Sequence, residues 1–538
     1  MRMSLDDLAL SLQRALDRLV RRLRRGGAPE RTGRRLLIVQ IDGLSRTVLE
    51  RALATGRMPF LKQLLRRHGY RLEPMTVGLP TSTPAFQMAA MYGVRPDIPG
   101  FHYYDRERQA DIHFPRPGHA ALVEARHATG RRGIVHGGST YGCVFTGGAE
   151  NDLFSFARLT RPSGPGVLAA LSPVVVLSWV CTKNLLRTFL ELGRAAARFA
   201  RHPAAARRGW RWLTIKIALS VWVRGFFTLA ASRDLYAGVP AVYVNYLDYD
   251  VAAHAFGPRS RRALGSLRRV DRALRQLARV LRRVPEHRYD LYVLADHGQA
   301  SCRPHLVLAG GRRFERWIFE QFIRSTPAAA PEARPQVGLV RGIRRRRRET
   351  PALLQRFLNY IEEDFLRRRE SEAYQQDGVR VISAGPNAFL YALDAAAPLD
   401  AEALEHRFPG LAEQLSRSQG VGFVLVRSED GPLCYRRGQR YRLRASEPGP
   451  FAGRADAALV VQAVADLMAM PSAGDLVIYG IDAPEGHVSF IAELGAHAGP
   501  SPDELHTFIV RPAHVRLPSP ISHPVQLYEH FIRYQEPS

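Results

Sequence analysis

Residues 36–43 read Leu36-Leu37-Ile38-Val39-Gln40-Ile41-Asp42-Gly43. A near-continuous apolar run of this length predicts a parallel strand buried on both faces, since a half-exposed strand would alternate. The run ends in a carboxylate followed by glycine. The pattern recurs at Ala241–Leu247, followed by Asp248-Tyr249-Asp250, and at Tyr289–Ala295, followed by Asp296-His297-Gly298. Two further runs, Asp475–Gly480 and Thr507–Val510, read as strands of the same sheet. Helical patterns separate the strands, so the fold class is α/β, a central sheet with helices on both faces. Ligands bind such sheets outside the carboxyl ends of the strands. Three strands that each end in an acidic or Asp-His cluster therefore predict a catalytic centre there.

The rest of the composition is that of a globular protein. The chain has 538 residues, 46% hydrophobic and 24% charged, long enough for one large core or several smaller ones. Its net charge of +27 attracts anions, from phosphorylated substrates to acidic membrane surfaces. Nearly all of that charge is arginine, because Lys62, Lys183 and Lys216 are the only lysines. No recognition helix, zinc finger or aromatic-basic motif accompanies it, so no specific nucleic-acid binding is expected. Cys143, Cys181, Cys302 and Cys434 are scattered without metal or disulfide spacing, which predicts free thiols in a reducing compartment. The first residues lack the apolar core of a signal peptide. A cytoplasmic protein is expected, with peripheral contact on the inner membrane.

That contact rests on the N-terminus, an apolar insertion and the charge. Leu5, Leu8, Leu12, Leu16, Leu19 and Leu23 recur at helical spacing among arginines, predicting a basic amphipathic helix over residues 1–33. An apolar helical insertion is expected at about 160–235. Gly166–Thr182 carries no charge, and Leu213–Ser232 carries only Lys216 and Arg224. Arginines crowd the stretch between, which suits a surface resting on acidic lipid, though an ordinary helical cover for the sheet fits the same pattern. A second, arginine-rich helical insertion at about 312–375 includes the run Arg344–Arg348. A small α+β subdomain is expected at about 398–470. The remainder of 34–538 forms the catalytic domain.

Phosphate esters are anionic and repel nucleophiles. Two divalent cations can clamp the attacking and the leaving oxygens, and zinc accepts imidazole and carboxylate ligands. Such a site needs about six Asp/His ligands and a Ser or Thr nucleophile, drawn from several strand ends. Asp42 ends the first strand. Pro80-Thr81-Ser82-Thr83-Pro84 offers hydroxyls in a proline-bracketed turn. Asp250 and His254 are spaced i, i+4, and Asp296 and His297 are adjacent, with Gly298 allowing a tight turn. Each piece is weak alone; the order and the strand-end placement carry the reading.

In that order the residues resemble the type I phosphodiesterase/nucleotide pyrophosphatase family of the alkaline phosphatase superfamily. The resemblance rests on Asp42, on the P-T-x-T turn ending at Thr83, on Gly93, Pro96 and Gly100, on Asp250-x-x-x-His254-x-x-Gly257-Pro258, on Asp296-His297-Gly298 and on His497 in Gly495-Ala496-His497. It covers roughly residues 34–150, 236–305 and 470–515. It implies an alkaline-phosphatase-like sheet and two divalent metal ions, most readily Zn2+. Asp42, Asp296 and His297, with Thr83 beside them, would hold one ion; Asp250, His254 and His497 would hold the other. It implies a phosphodiesterase working through a phospho-threonine at Thr83, with a phosphomonoesterase, a phosphonate hydrolase or an inactive anion-binding protein as alternatives. Three departures stand out. The family's phosphate-steadying asparagine falls by ungapped count on Tyr104, followed by Asp105, which places these two in the substrate pocket. His487 in Glu485-Gly486-His487 competes with His497. Ser82 neighbours Thr83 in a sulfatase-like frame that has Phe86 where an arginine is needed.

Overall fold

The computed structural model describes residues 33–67, 69–114, 116–154, 182, 184–197, 217–323, 328–329 and 373–536. The expected N-terminal helix, the run Gly166–Cys181 and the arginine run Arg344–Arg348 lie outside them.

A seven-stranded sheet forms the centre. Its strands are β1 (Arg35–Ile41), β2 (Tyr70–Thr76), β3 (Ser139–Tyr141), β4 (Asn151–Phe154), β5 (Ala241–Tyr246), β6 (Tyr289–Leu294) and β7 (His506–Pro512), in the spatial order β2-β7-β6-β1-β5-β3-β4. β1 lies between β5 and β6 and is parallel to both; β7 pairs antiparallel with β6 and β2. The apolar runs are continuous because successive residues enter different cores. Leu36 and Ile38 pack with α3 (Thr83–Tyr92) on one face. Leu37, Val39 and Ile41 pack on the other with α1 (Arg46–Ala54), α2 (Pro59–Arg67), α4 (Arg224–Ala237), α5 (Asp248–Phe256) and α6 (Arg261–Leu281). The sheet thus carries helices on both faces, as expected.

Helix α6 shows where part of the arginine goes. Leu264, Leu267, Val270, Leu274 and Leu277 form its buried stripe, while Arg261, Arg262, Arg268, Arg272 and Arg275 are exposed. Asp271 reaches from α6 to accept hydrogen bonds from the Phe60 and Leu61 amides at the start of α2, donors that no intrahelical carbonyl serves.

A second, antiparallel sheet follows. In spatial order it contains Ala328–Ala329, Ala373–Gln376, Val379–Ser383, Asn387–Ala392, Leu476–Tyr479, Phe423–Val426, Leu433–Arg436 and Gln439–Arg442. One expectation changes here. Leu476–Tyr479 is not a strand of the central sheet but pairs with Asn387–Ala392 and Phe423–Val426. The strands of the expected 398–470 subdomain are therefore continuous with residues on both sides of it. One face of this sheet, with Phe389, Tyr391, Phe423 and Tyr479, joins the core around α3. Within the apolar stretch Leu213–Ser232, α4 buries Phe227, Leu229, Ala231 and Leu235 against the central sheet, as a core helix. No described helix is long and apolar enough to cross a membrane. Cys143, Cys302 and Cys434 are free and buried.

Asp475 joins the second sheet to the segment after the strand His102–Asp105. Both its oxygens lie 2.6 Å from Arg106 Nη2, and it accepts from the Ala392 and Leu399 amides at 2.7 Å. Replacing it leaves a partly buried guanidinium without its carboxylate partner and two amides without their acceptor. Asp475→Ala is expected to cost about 3–5 kcal/mol of unfolding free energy in urea denaturation; a loss below about 1 kcal/mol would contradict this role.

Candidate active site

The carboxyl ends of β5, β1 and β6, three adjacent parallel strands, deliver the site. Asp42 and Gly43 follow β1. Gly43 has φ +71°, and a Cβ there would lie 2.8 Å from Asp250 Oδ1, so both the turn and the close approach require glycine. β5 runs into α5, whose helical spacing puts Asp250 and His254 one turn apart. Asp296 and His297 follow β6. At Gly298 a Cβ would meet Asp503 O at 1.9 Å, so close packing demands this glycine.

Thr83 begins α3. Gln40, the polar residue of β1, anchors that helix: its Oε1 accepts from Gln87 Nε2 (3.1 Å) and Tyr243 OH (2.7 Å). Gln87 in turn accepts from Val144 N at 2.7 Å. Thr83 Oγ1 lies 3.2 Å from His297 Nε2 and 3.5 Å from Asp42 Oδ1. The neighbouring Ser82 Oγ is buried and has no hydrogen-bond partner among the described residues.

The carboxylates and imidazoles meet in two overlapping groups. Ligand atoms of Asp42, Asp296 and His297 lie within 4.8 Å of one another, as do those of Asp250, His297 and His497. His254 Nε2 is 3.2 Å from Asp250 Oδ1. The His297 and His497 rings stack with centroids 3.8 Å apart, and His254 meets His497 edge to face at 4.9 Å. All seven expected residues, Asp42, Thr83, Asp250, His254, Asp296, His297 and His497, are therefore neighbours.

The hydrogen bonds assign each ring nitrogen. His297 Nδ1 donates to Gly298 O (3.0 Å), His497 Nδ1 to Thr81 O (2.8 Å) and His254 Nδ1 to Glu493 Oε2 (2.8 Å). In the neutral ring each Nε2 then carries a lone pair. Those lone pairs face carboxylate oxygens: His297 Nε2 is 3.4 Å from Asp296 Oδ2 and 3.7 Å from Asp42 Oδ1, and His497 Nε2 is 4.0 Å from Asp250 Oδ1. Among the described residues, Asp296 Oδ2 is buried and has no hydrogen-bond donor. Acceptors facing acceptors in a buried site are costly unless a cation lies among them. The donor set, nitrogen and carboxylate oxygen, suits a divalent metal, zinc included.

Electrostatics agree. Burial, then the neighbouring Asp296 and Asp250, push the Asp42 carboxyl well above the usual range, and burial pushes Asp296 up to about 7. Burial keeps His297 and His497 below the ordinary imidazole value, with His297 and His254 adding to the effect at His497.

Several supporting residues have little sequence signal. Asn245 Nδ2 donates to Asp42 Oδ2 at 2.7 Å, and only its polarity within an apolar strand singles it out. Gln299, directly after Asp296-His297-Gly298, donates to Asp250 Oδ1. Glu504 accepts from Gly499 N (2.6 Å), Thr81 Oγ1 (3.2 Å) and Ser501 Oγ (2.7 Å), bracing the turn after His497.

Other expected residues lie elsewhere. His487 accepts from Asp482 N in a turn and is partly exposed, so His497 is the histidine at the cluster. Tyr104 and Asp105, expected in the substrate pocket, belong to a hairpin that pairs His102–Asp105 with Ala110–His113. Tyr104 lies in the hairpin strand His102–Asp105, its ring 5.6 Å from Tyr391 and its amide donating to the Tyr391 hydroxyl. Asp105 is engaged by Arg126 Nη1 at 3.1 Å and by the Arg108 amide at 3.2 Å.

The family model for type I phosphodiesterase/nucleotide pyrophosphatase matches residues 36–336, more than half of the chain. No curated protein matches it. Two solved structures of phosphonoacetate hydrolase from Sinorhizobium meliloti 1021, in complex with phosphonoformate and with phosphonoacetate, are distantly similar. Each is 14% identical, with a TM-score of 0.45 and coverage of 94% of this chain and 97% of the other. On the family match, the chain belongs to the type I phosphodiesterase/nucleotide pyrophosphatase family of phosphoester hydrolases.

Proposed function

We propose that the chain hydrolyses a phosphodiester, with Thr83 as the nucleophile. The observation that carries this reading is the position of the Thr83 hydroxyl. It sits at the N-terminus of α3, 3.2 Å from His297 Nε2 and beside Asp42, where the helix dipole favours an incoming anion. Asp42, Asp296 and His297, with Thr83, would hold one divalent ion, most readily zinc. Asp250, His254 and His497 would hold the other. Bound there, such ions neutralise phosphoryl oxygens and make a neighbouring hydroxyl more acidic. Thr83 Oγ1 forms a bond to phosphorus as the bond to the leaving alkoxide breaks, and water then releases the product from the phospho-threonine. Asn245 and Gln299 hold Asp42 and Asp250 in place, and Gln40 holds the helix that carries the nucleophile.

Thr83→Ala is expected to lower turnover of bis(p-nitrophenyl) phosphate by at least about 10³-fold while bound metal stays near two ions per chain. Ser82→Ala should stay within a few-fold of the parent. An active Thr83→Ala protein would remove the nucleophile assignment. Faster turnover of p-nitrophenyl phosphate, or of a phosphonate, than of the diester would move the activity to the corresponding alternative on the same residues. Metal-free purified protein that takes up no zinc would favour the inactive anion-binding alternative.

A second reading concerns where substrate is met. Residues 184–197 are helical, and Leu185, Leu186, Phe189 and Leu190 on them are 42–67% exposed. Between residues 182 and 212 the sequence carries Lys183 and seven arginines against the single acid Glu191. Exposed apolar side chains among cations suit peripheral contact with anionic lipid. In vesicle flotation the protein should bind phosphatidylglycerol-containing membranes and not pure phosphatidylcholine. A Leu186→Glu/Phe189→Glu variant should lose that binding with soluble-diester turnover unchanged. Equal recovery of parent and variant would count against the contact.

A further inference from the structure

His254 is 3.2 Å from Asp250 Oδ1 through Nε2. At that distance the pair has two stable states. Either Nε2 carries the proton and hydrogen-bonds the carboxylate, or it carries a lone pair and the two acceptors share a cation. Which state holds depends on the other ring nitrogen. Nδ1 lies 2.8 Å from Oε2 of Glu493, a residue 239 positions away in the chain. A carboxylate oxygen accepts, so it draws the ring proton to Nδ1 and leaves the lone pair on Nε2.

Glu493 is itself built in. It is 7% exposed, and its second oxygen accepts from Ser489 Oγ at 2.7 Å. The strand segment around it is clamped to the last turn of α5. Leu494 N donates to His254 O at 2.8 Å, and Cys302 N donates to Leu494 O at 3.1 Å. At Gly495 a Cβ would stand 2.4 Å from Ala253 O, so only glycine lets the strap pass this close to the helix. Two residues later the same strap supplies His497. Residues 489–497 thus fix one imidazole through a carboxylate and contribute another directly.

We infer that Glu493 is a positioning residue that sets the tautomer and orientation of His254, and so the affinity of the ion held by Asp250, His254 and His497. The inference rests on the proposed ligand set. Removing the carboxylate lets the proton move to Nε2, where it bonds Asp250 and competes with the metal.

The test is zinc affinity measured by chelator competition on metal-free protein, for the parent, Glu493→Gln, Glu493→Leu and Asp250→Ala. Thermal unfolding of each metal-free protein is followed in parallel. Glu493→Gln keeps an acceptor without the charge and should weaken one zinc ion, the same one that Asp250→Ala weakens, by about tenfold; Glu493→Leu should weaken it by about 100-fold. The other ion should be affected less than about threefold, and the thermal midpoint of the Gln variant should stay near that of the parent. A merely structural role would weaken both ions together and lower the midpoint. Parent-like zinc binding in Glu493→Gln and Glu493→Leu, with binding weakened in Asp250→Ala, would overturn the role of Glu493 alone. Parent-like binding in Asp250→Ala as well would overturn the ligand set on which it rests.

Discussion

Three carboxylates and three imidazole lone pairs are confined to one buried place at the carboxyl ends of β5, β1 and β6. No arrangement of these groups alone is comfortable. The carboxylates repel one another, burial penalises their charge, and the imidazole protons point outward to Gly298 O, Thr81 O and Glu493. The surrounding structure exists to hold this arrangement. Asn245 and Gln299 tie the carboxylates, Gln40 and Gln87 tie the nucleophile helix to β1 and the loop at Val144, and the strap at 489–497 ties α5. Groups held apart from their own preferred partners are pre-organised for a cation and an anionic ester.

Most of that arrangement was legible in the sequence because it is local. A parallel strand buried on both faces is a continuous apolar run, and its carboxyl end is where the run stops. Asp42, Asp250, Asp296 and His297 could therefore be placed from the pattern alone. His254 follows from Asp250 by one helical turn. Choosing Thr83 over Ser82 and His497 over His487 required the resemblance, since residue type and spacing favoured neither.

The less legible parts are those set by tertiary pairing. Leu476–Tyr479 looks like any buried strand, and nothing local says that its partners are Asn387–Ala392 and Phe423–Val426 rather than the central sheet. Glu493 has no sequence signal because its partner His254 lies 239 residues earlier. The hairpin partners are of the same tertiary kind: the Tyr104 ring meets Tyr391, and Asp105 is tied to Arg126. The arginine content belongs partly to exposed faces such as that of α6, where it dictates solubility more than chemistry.

The most direct measurement is a crystal structure of the zinc-loaded protein with anomalous difference maps collected on both sides of the zinc edge. The account predicts two peaks, one bounded by Asp42, Thr83, Asp296 and His297 and one by Asp250, His254 and His497. A zinc-loaded crystal with no peak at these residues, or with a peak ligated by other side chains, would contradict it.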